Sequence, residues 1–171
     1  MGVGGLAYST EAVGTIYGTV GVIMLSLGGI LGGILISRDG LKKWMLPMLL
    51  SLNLPNALYA ILAITQTTSL YAVVGTVVIE QFGYGFGFAA FMMYLIYVAE
   101  GASKTSHYAI ATGFMALGMM LPGMLSGYIQ EWLGYDGFFI WVVIAALPAF
   151  FVLRYLKYPE DYGKKTAETN D

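Results

Sequence analysis

Five apolar runs, each close to the length that crosses a bilayer, constrain this chain more than any other feature. A hydrocarbon core about 30 Å thick needs roughly 20 apolar residues in helical form. Runs of that order occupy approximately residues 12–37, 44–64, 70–99, 108–129 and 137–153. Only helices and closed barrels satisfy every backbone polar group in lipid, and runs this long and this continuous read as helices. The expectation is an all-α, polytopic transmembrane helix bundle of about five spans. It divides into an outer-side N-terminal segment 1–11, a five-span bundle 12–157, and a charged tail 158–171 that is expected to fray.

Charge placement orients the bundle. Charged residues make up only 11% of the chain, against about 25% in soluble domains, so the position of each one is informative. Arg38, Lys42 and Lys43 follow the first run, Lys104 follows the third, and Arg154, Lys157, Lys164 and Lys165 follow the fifth. All eight basic residues therefore fall on one side. The other side has Glu11, the uncharged stretch from Gln66 to Ser69, and Glu131 with Asp136. Cytoplasmic loops retain Lys and Arg, which predicts a multi-pass membrane protein with its N-terminus outside and its C-terminus in the cytoplasm. An odd number of spans starting outside without a signal sequence calls for at least one preceding span. Basic residues occur only as short turns, so nucleic acid is not an expected partner. Cysteine is absent and histidine occurs once, which removes thiol chemistry and histidine-rich metal sites; neither a metal nor a cofactor is expected.

Inside the runs, several residues are costly for an inert anchor. Gly14, Gly18, Gly21, Gly28, Gly29, Gly32 and Gly33 recur at three- and four-residue steps in the first run, which lets a neighbouring helix approach closely. Tight static packing and a moving interface explain that pattern equally. Pro55 stands between Asn53 and Asn56, and Pro122 and Pro148 fall inside the fourth and fifth runs. Such prolines free carbonyls that neighbours or water must satisfy, as in the interrupted helices of transporters. Glu80 is the one charged residue well inside any run, and Gln81 follows it. A charge at a helix centre costs about 2.5 to 3.5 kcal/mol on insertion scales, and intramembrane acids usually face a bundle interior or a proton path. A structural pairing near the outer headgroups is the bland alternative. Gly83, Gly85 and Gly87 alternate with Phe82, Tyr84, Phe86 and Phe88; the spacing is wrong for a nucleotide loop, and the small residues are expected to let the helix bend while the aromatics line a cavity. A serine hydrolase is excluded because Ser126 and His107 lie about 27 Å apart along a straight helix, beyond the reach that nucleophile activation needs.

Between the first two runs, Gly33, Arg38, Gly40, Lys42 and Lys43 resemble the signature loop of the major facilitator superfamily, Gly-x-x-x-Asp-Arg-x-Gly followed by basic residues. Ser37 and Leu41 depart from its usual aspartate and arginine, as in the second-half copy of that loop between helices eight and nine. The stretches 9–20, 78–88 and 107–118 are similar, more narrowly, to the AmpG-type muropeptide permeases and their peptide and acetyl-coenzyme A transporter relatives. The resemblance implies a partial major-facilitator fold, helices eight to twelve, without helix seven and the first bundle.

It further implies a secondary active transporter, with proton-coupled uptake of muropeptides or related glycopeptides as the leading expectation. Glu80 would then be the coupling or substrate-ordering carboxylate, Gln81, Asn53 and Asn56 would supply hydrogen bonds, and Tyr84 would stack on a sugar ring. Gly33, Arg38, Asp39, Gly40, Lys42 and Lys43 would form a cytoplasmic gate. The expected partners are the lipid bilayer, a small-molecule solute, protons, and the missing N-terminal helices or a complementary chain. Two alternatives stay open: another solute such as a sugar, nucleoside or coenzyme A ester, and a non-transporting membrane subunit that binds partner helices. No enzymatic activity is expected.

Overall fold

The computed structural model describes residues 9–67 and 69–165. Most of the expected outer segment, residue 68 of the outer loop and the end of the tail lie outside these residues. Within them the chain is helical, and no strand occurs among the described residues. α1 (Thr10–Thr15) passes through a π-helical turn (Ile16–Gly21) into α2 (Val22–Asp39). After Gly40 come α3 (Leu41–Asn53) and α4 (Pro55–Thr65), then α5 (Leu70–Val98), α6 (Lys104–Ala145) and α7 (Leu147–Leu153).

Four helical stretches are long and apolar enough to cross a membrane: Glu11–Asp39, Leu41–Thr65, Leu70–Val98 and Lys104–Leu153. The last has 50 residues, more than twice what one crossing needs, and it contains the fourth and fifth expected runs. The loop anticipated around residues 131–136 does not form. Two helices abut at Gly134, whose backbone (φ 72°, ψ 174°) is the one departure from helical values. Glycine alone takes that conformation without a Cβ penalty, so a single residue replaces a loop. The second run is likewise interrupted where it was expected to be. α3 ends at Asn53, and Pro55, which has no N–H to donate, opens α4 at its first position.

α5 is the central element, with α2 running parallel along one flank and α3 antiparallel along another. A Cβ on Gly28 would collide with Phe82 O and lie 2.9 Å from Phe86 N, and one on Gly32 would stand 2.8 Å from Ala89 Cβ. From the other side, a Cβ on Gly85 would collide with Leu25 O. Gly28 and Gly32 thus face Gly85 and Ala89, a small-residue pair four apart on each helix, and the backbones touch. Gly83 and Gly87 do the same for α3, lying against Ser51 O and Met48 O. These glycines therefore serve close approach; α5 runs unbroken through them, and the expected bend is not what they provide. By contrast, Gly14, Gly18 and Gly33 have open space around them.

The buried core lies at the basic end, where Ile36, Leu41, Met45, Met48, Phe86 and Ala90 form one cluster. Trp44 meets Phe86 edge-on with ring centroids 6.1 Å apart. Packing loosens along the fourth stretch, where no residue of α6 or α7 is buried. The α2/α5 contact gives a clear expectation. Gly85→Ala should destabilise the bundle by about 1–3 kcal/mol, the usual cost of overpacking, while Gly33→Ala should be neutral. Detergent-micelle unfolding followed by circular dichroism would measure both; equal stability of the two variants would contradict the close-contact assignment.

Candidate functional site

Two groups of polar side chains stand out, one within the spans and one at the basic end. The first is built where three irregularities of the helices coincide. The π-helical turn carries Tyr17, α4 restarts at Pro55 and carries Tyr59 one turn later, and α5 supplies Glu80 and Gln81. Tyr59 Oη donates to Glu80 Oε2 at 3.3 Å, and Gln81 Nε2 donates to the same oxygen at 2.8 Å. Tyr17 and Tyr59 share a hydrogen bond of 2.6 Å between their hydroxyls. With the Tyr59 proton directed at the carboxylate, Tyr17 donates to Tyr59, giving an ordered chain of two phenols ending on Glu80. The carboxylate thus has hydrogen-bond donors that offset part of its cost in lipid. Gly21 leaves room for Gln81, whose Cγ would lie 3.2 Å from a Cβ there. Phe139 from α6 stacks on Tyr59 at 5.9 Å and 15° between planes, closing that side of the pair.

Of the side chains anticipated for the transport path, Glu80 and Gln81 meet in this cluster and the others do not. Asn53 Nδ2 donates to Leu49 O of its own helix at 2.8 Å. Asn56 makes no hydrogen bond to the cluster among the described residues. Tyr84 stacks on Phe88 at 5.6 Å and 13°. Tyr17, Tyr59 and Phe139 were not anticipated, because an aromatic in an apolar run reads as packing; the one available signal was that Tyr59 lies one turn beyond the proline break.

The second group surrounds Gly40. Asp39 accepts from Arg38 Nη2 at 2.9 Å and from Trp44 Nε1 at 3.0 Å, and pairs with Lys43 Nζ at 3.1 Å. Four of the six expected gate residues, Arg38, Asp39, Gly40 and Lys43, are thus held together by one carboxylate and one turn. Lys42 points elsewhere, pairing with Glu160 of the tail, and a Cβ added at Gly33 would meet open space.

The tail was expected to fray; instead residues 158–165 form a strap across the turn. Leu41 N–H donates to Tyr162 O at 2.8 Å and Lys165 N–H to Ser37 O at 2.7 Å. Gly40 (φ 90°) has no side chain to block this path, since a Cβ there would stand 2.8 Å from Glu160 O. Tyr162 packs on Tyr97 at 4.9 Å and donates to Glu100 Oε1 at 3.0 Å. Burial first, and then the Glu100 carboxylate, push the Tyr162 phenol up to about 12, so it remains a donor. Tyr158 meets Tyr94 at 5.7 Å. The strap is held by backbone bonds and half-buried rings, a means of ordering a charged segment that its composition does not reveal.

An all-helical bundle with four stretches long and apolar enough to span a bilayer, interrupted at proline and closed by a basic turn at one end, is the architecture of a multi-pass membrane protein. The family model described as Major Facilitator Superfamily matches residues 4–171, so the chain belongs to that superfamily, as the turn had implied. It is similar to the anhydromuropeptide permease of Escherichia coli (strain K12), with 26% identity over 160 residues, 94% of this chain and 32% of that protein. It is also similar to putative transporter AmpG 4 of Rickettsia conorii and of Rickettsia felis, each with 28% identity over 151 residues, 88% of this chain and 36% of the relative. The chain thus spans about one third of the length of these curated relatives. No solved structure matches it.

The strap's ion pair has a directional pH dependence. The Lys42 ammonium holds the Glu160 carboxyl below its ordinary value. The pair's contribution is therefore complete above the ordinary carboxylate range, near about 4.3, and is lost as pH falls through the lowered value. With fluorophores at Ala102 and Lys164, separation should be constant at neutral pH and increase only below that range. In Lys42→Ala this acid-dependent increase should be diminished; an unaltered profile would remove the pair from the strap's stability.

Proposed function

We propose that this chain forms the second-half bundle, helices eight to twelve, of a proton-coupled secondary transporter that takes up muropeptides or related glycopeptides across the inner membrane. The observation that carries this reading is the hydrogen-bonded chain Tyr17, Tyr59, Glu80 within the spans. A lone carboxylate at that depth, reached through two hydroxyls, can take up a proton in one access state and release it in the other. Gln81 orders the carboxylate and competes for it with the solute's amide and hydroxyl groups. The muropeptide assignment is supported by the anhydromuropeptide permease and the AmpG relatives.

In this reading the basic end is cytoplasmic, because all the lysines and arginines gather there, and the N-terminal end of α1 faces outward. The open face of α6 receives the helices that complete the transporter. Its large side chains are uncovered, with Phe114 70%, Tyr128 74% and Trp132 84% exposed. The turn around Asp39 and the strap form the cytoplasmic latch; their contacts exist in one access state and are exchanged for others in the opposite one, so differential contact energy sets the populations.

Labelled muropeptide uptake into vesicles holding the complete transporter tests the reading. Glu80→Gln should lower proton-driven accumulation by roughly 5- to 150-fold, the range of a coupling free energy, and leave solute exchange without a gradient largely intact. Tyr59→Phe, which removes the link between Tyr17 and Glu80, should slow uptake without abolishing it. Full proton-driven accumulation by Glu80→Gln would refute the coupling role.

A further inference from the structure

We infer that the basic end carries a binding site for an anionic phospholipid in the groove between the start of α3 and the end of α7. A cavity of about 440 Å³ there is lined by Lys42, Arg154 and Lys157 together with the apolar Met45, Leu153 and Leu156. A second cavity of about 280 Å³ shares Met45, Leu153 and Leu156 with the first, and adds Leu49, Phe91 and Ala149. One end of the groove is thus cationic and its continuation is hydrocarbon.

The two parts lie at the depths that a lipid requires. Lys42 stands at the first turn of α3 and Arg154 just past the end of α7, so the cations sit at the level of the headgroups. Leu49 lies about 10 Å further along α3, and Ala149 about 7 Å back along α7, at 1.5 Å per residue. The apolar cavity therefore runs from the headgroup level into the span, the path of an acyl chain. Among the described residues, neither Arg154 nor Lys157 has an ion-pair partner, whereas Lys42 is paired with Glu160. Two uncompensated cations above a hydrocarbon slot complement a phosphodiester headgroup joined to its chain. A partner helix seated here would have to cover Arg154 and Lys157, charges that are costly to bury in a helix contact within lipid.

The test titrates the purified chain in neutral detergent micelles with phosphatidylglycerol or with phosphatidylcholine of identical chains, reading bound lipid by native mass spectrometry. Phosphatidylglycerol is expected to bind about 30-fold more tightly, the effect of two cations near a membrane surface. Inorganic phosphate at the same concentration should not displace it. The double substitution Arg154→Gln with Lys157→Gln should abolish the preference while leaving helical content unchanged by circular dichroism, and Ala149→Trp, which fills the slot, should weaken both lipids. Equal binding of the two lipids, displacement by inorganic phosphate, or occupation by a co-purified polypeptide that phosphatidylglycerol does not displace would each overturn the assignment.

Discussion

The backbone contact between α2 and α5 is the constraint on which the other features depend. In lipid there is no hydrophobic gain from bringing two apolar helices together, so association relies on close packing and interhelical hydrogen bonds. Gly28 and Gly32 on one helix, and Gly85 and Ala89 on the other, allow approach to the point where no added methyl fits without displacement. Gly83 and Gly87 secure α3 to another flank of the same helix. Four small positions on α5 thus set the relative register of α2, α3 and α5, and through them the placement of Glu80 at one level and Asp39 at another.

Irregular backbone and polar side chains occur at the same level of the bundle. The π-helical turn at Ile16–Gly21 and the break before Pro55 each interrupt regular hydrogen bonding where Tyr17, Tyr59 and Glu80 meet. Such interruptions carry a cost and are tolerated in a membrane when they face protein or a water-filled path, and π-turns recur at functional sites. Below that level lies the buried core, around Ile36, Met48 and Phe86.

The spans, their order, the proline break and the family were legible because each rests on local composition. Glu80 was legible because a charge in an apolar run has few benign explanations. The partners of Glu80 were not: Tyr17 and Tyr59 are separated from it by 63 and 21 positions, and only the packing of α2 and α4 on α5 brings them together. Gly134 escaped because one glycine accomplishes what a loop normally does. The strap escaped for a different reason. Its charges predict solvation, yet its order comes from backbone groups of Leu41 and Lys165 and from Tyr158 and Tyr162, which reach rings on α5 that lie far away in sequence.

The register lock has a consequence for how the two polar groups communicate in the proposed transporter. Tyr17 and Asp39 lie on one continuous helical stretch about 33 Å apart at 1.5 Å per residue, and that stretch is fastened to α5 between them by the glycine contacts. A change of protonation at Glu80 cannot slide α2 along α5 without driving Cα hydrogens into carbonyls, so the pair moves as one body. The contacts free to change are those made by flexible or terminal groups: the hydroxyl of Tyr59 on α4, and the strap spanning Ser37, Leu41 and Glu100. Packed helices respond to small local changes by switching between discrete arrangements. On the proposed reading, the switching element would be the relation of the α2/α5 body to α4 and to the strap, with the glycine seam staying intact through the cycle.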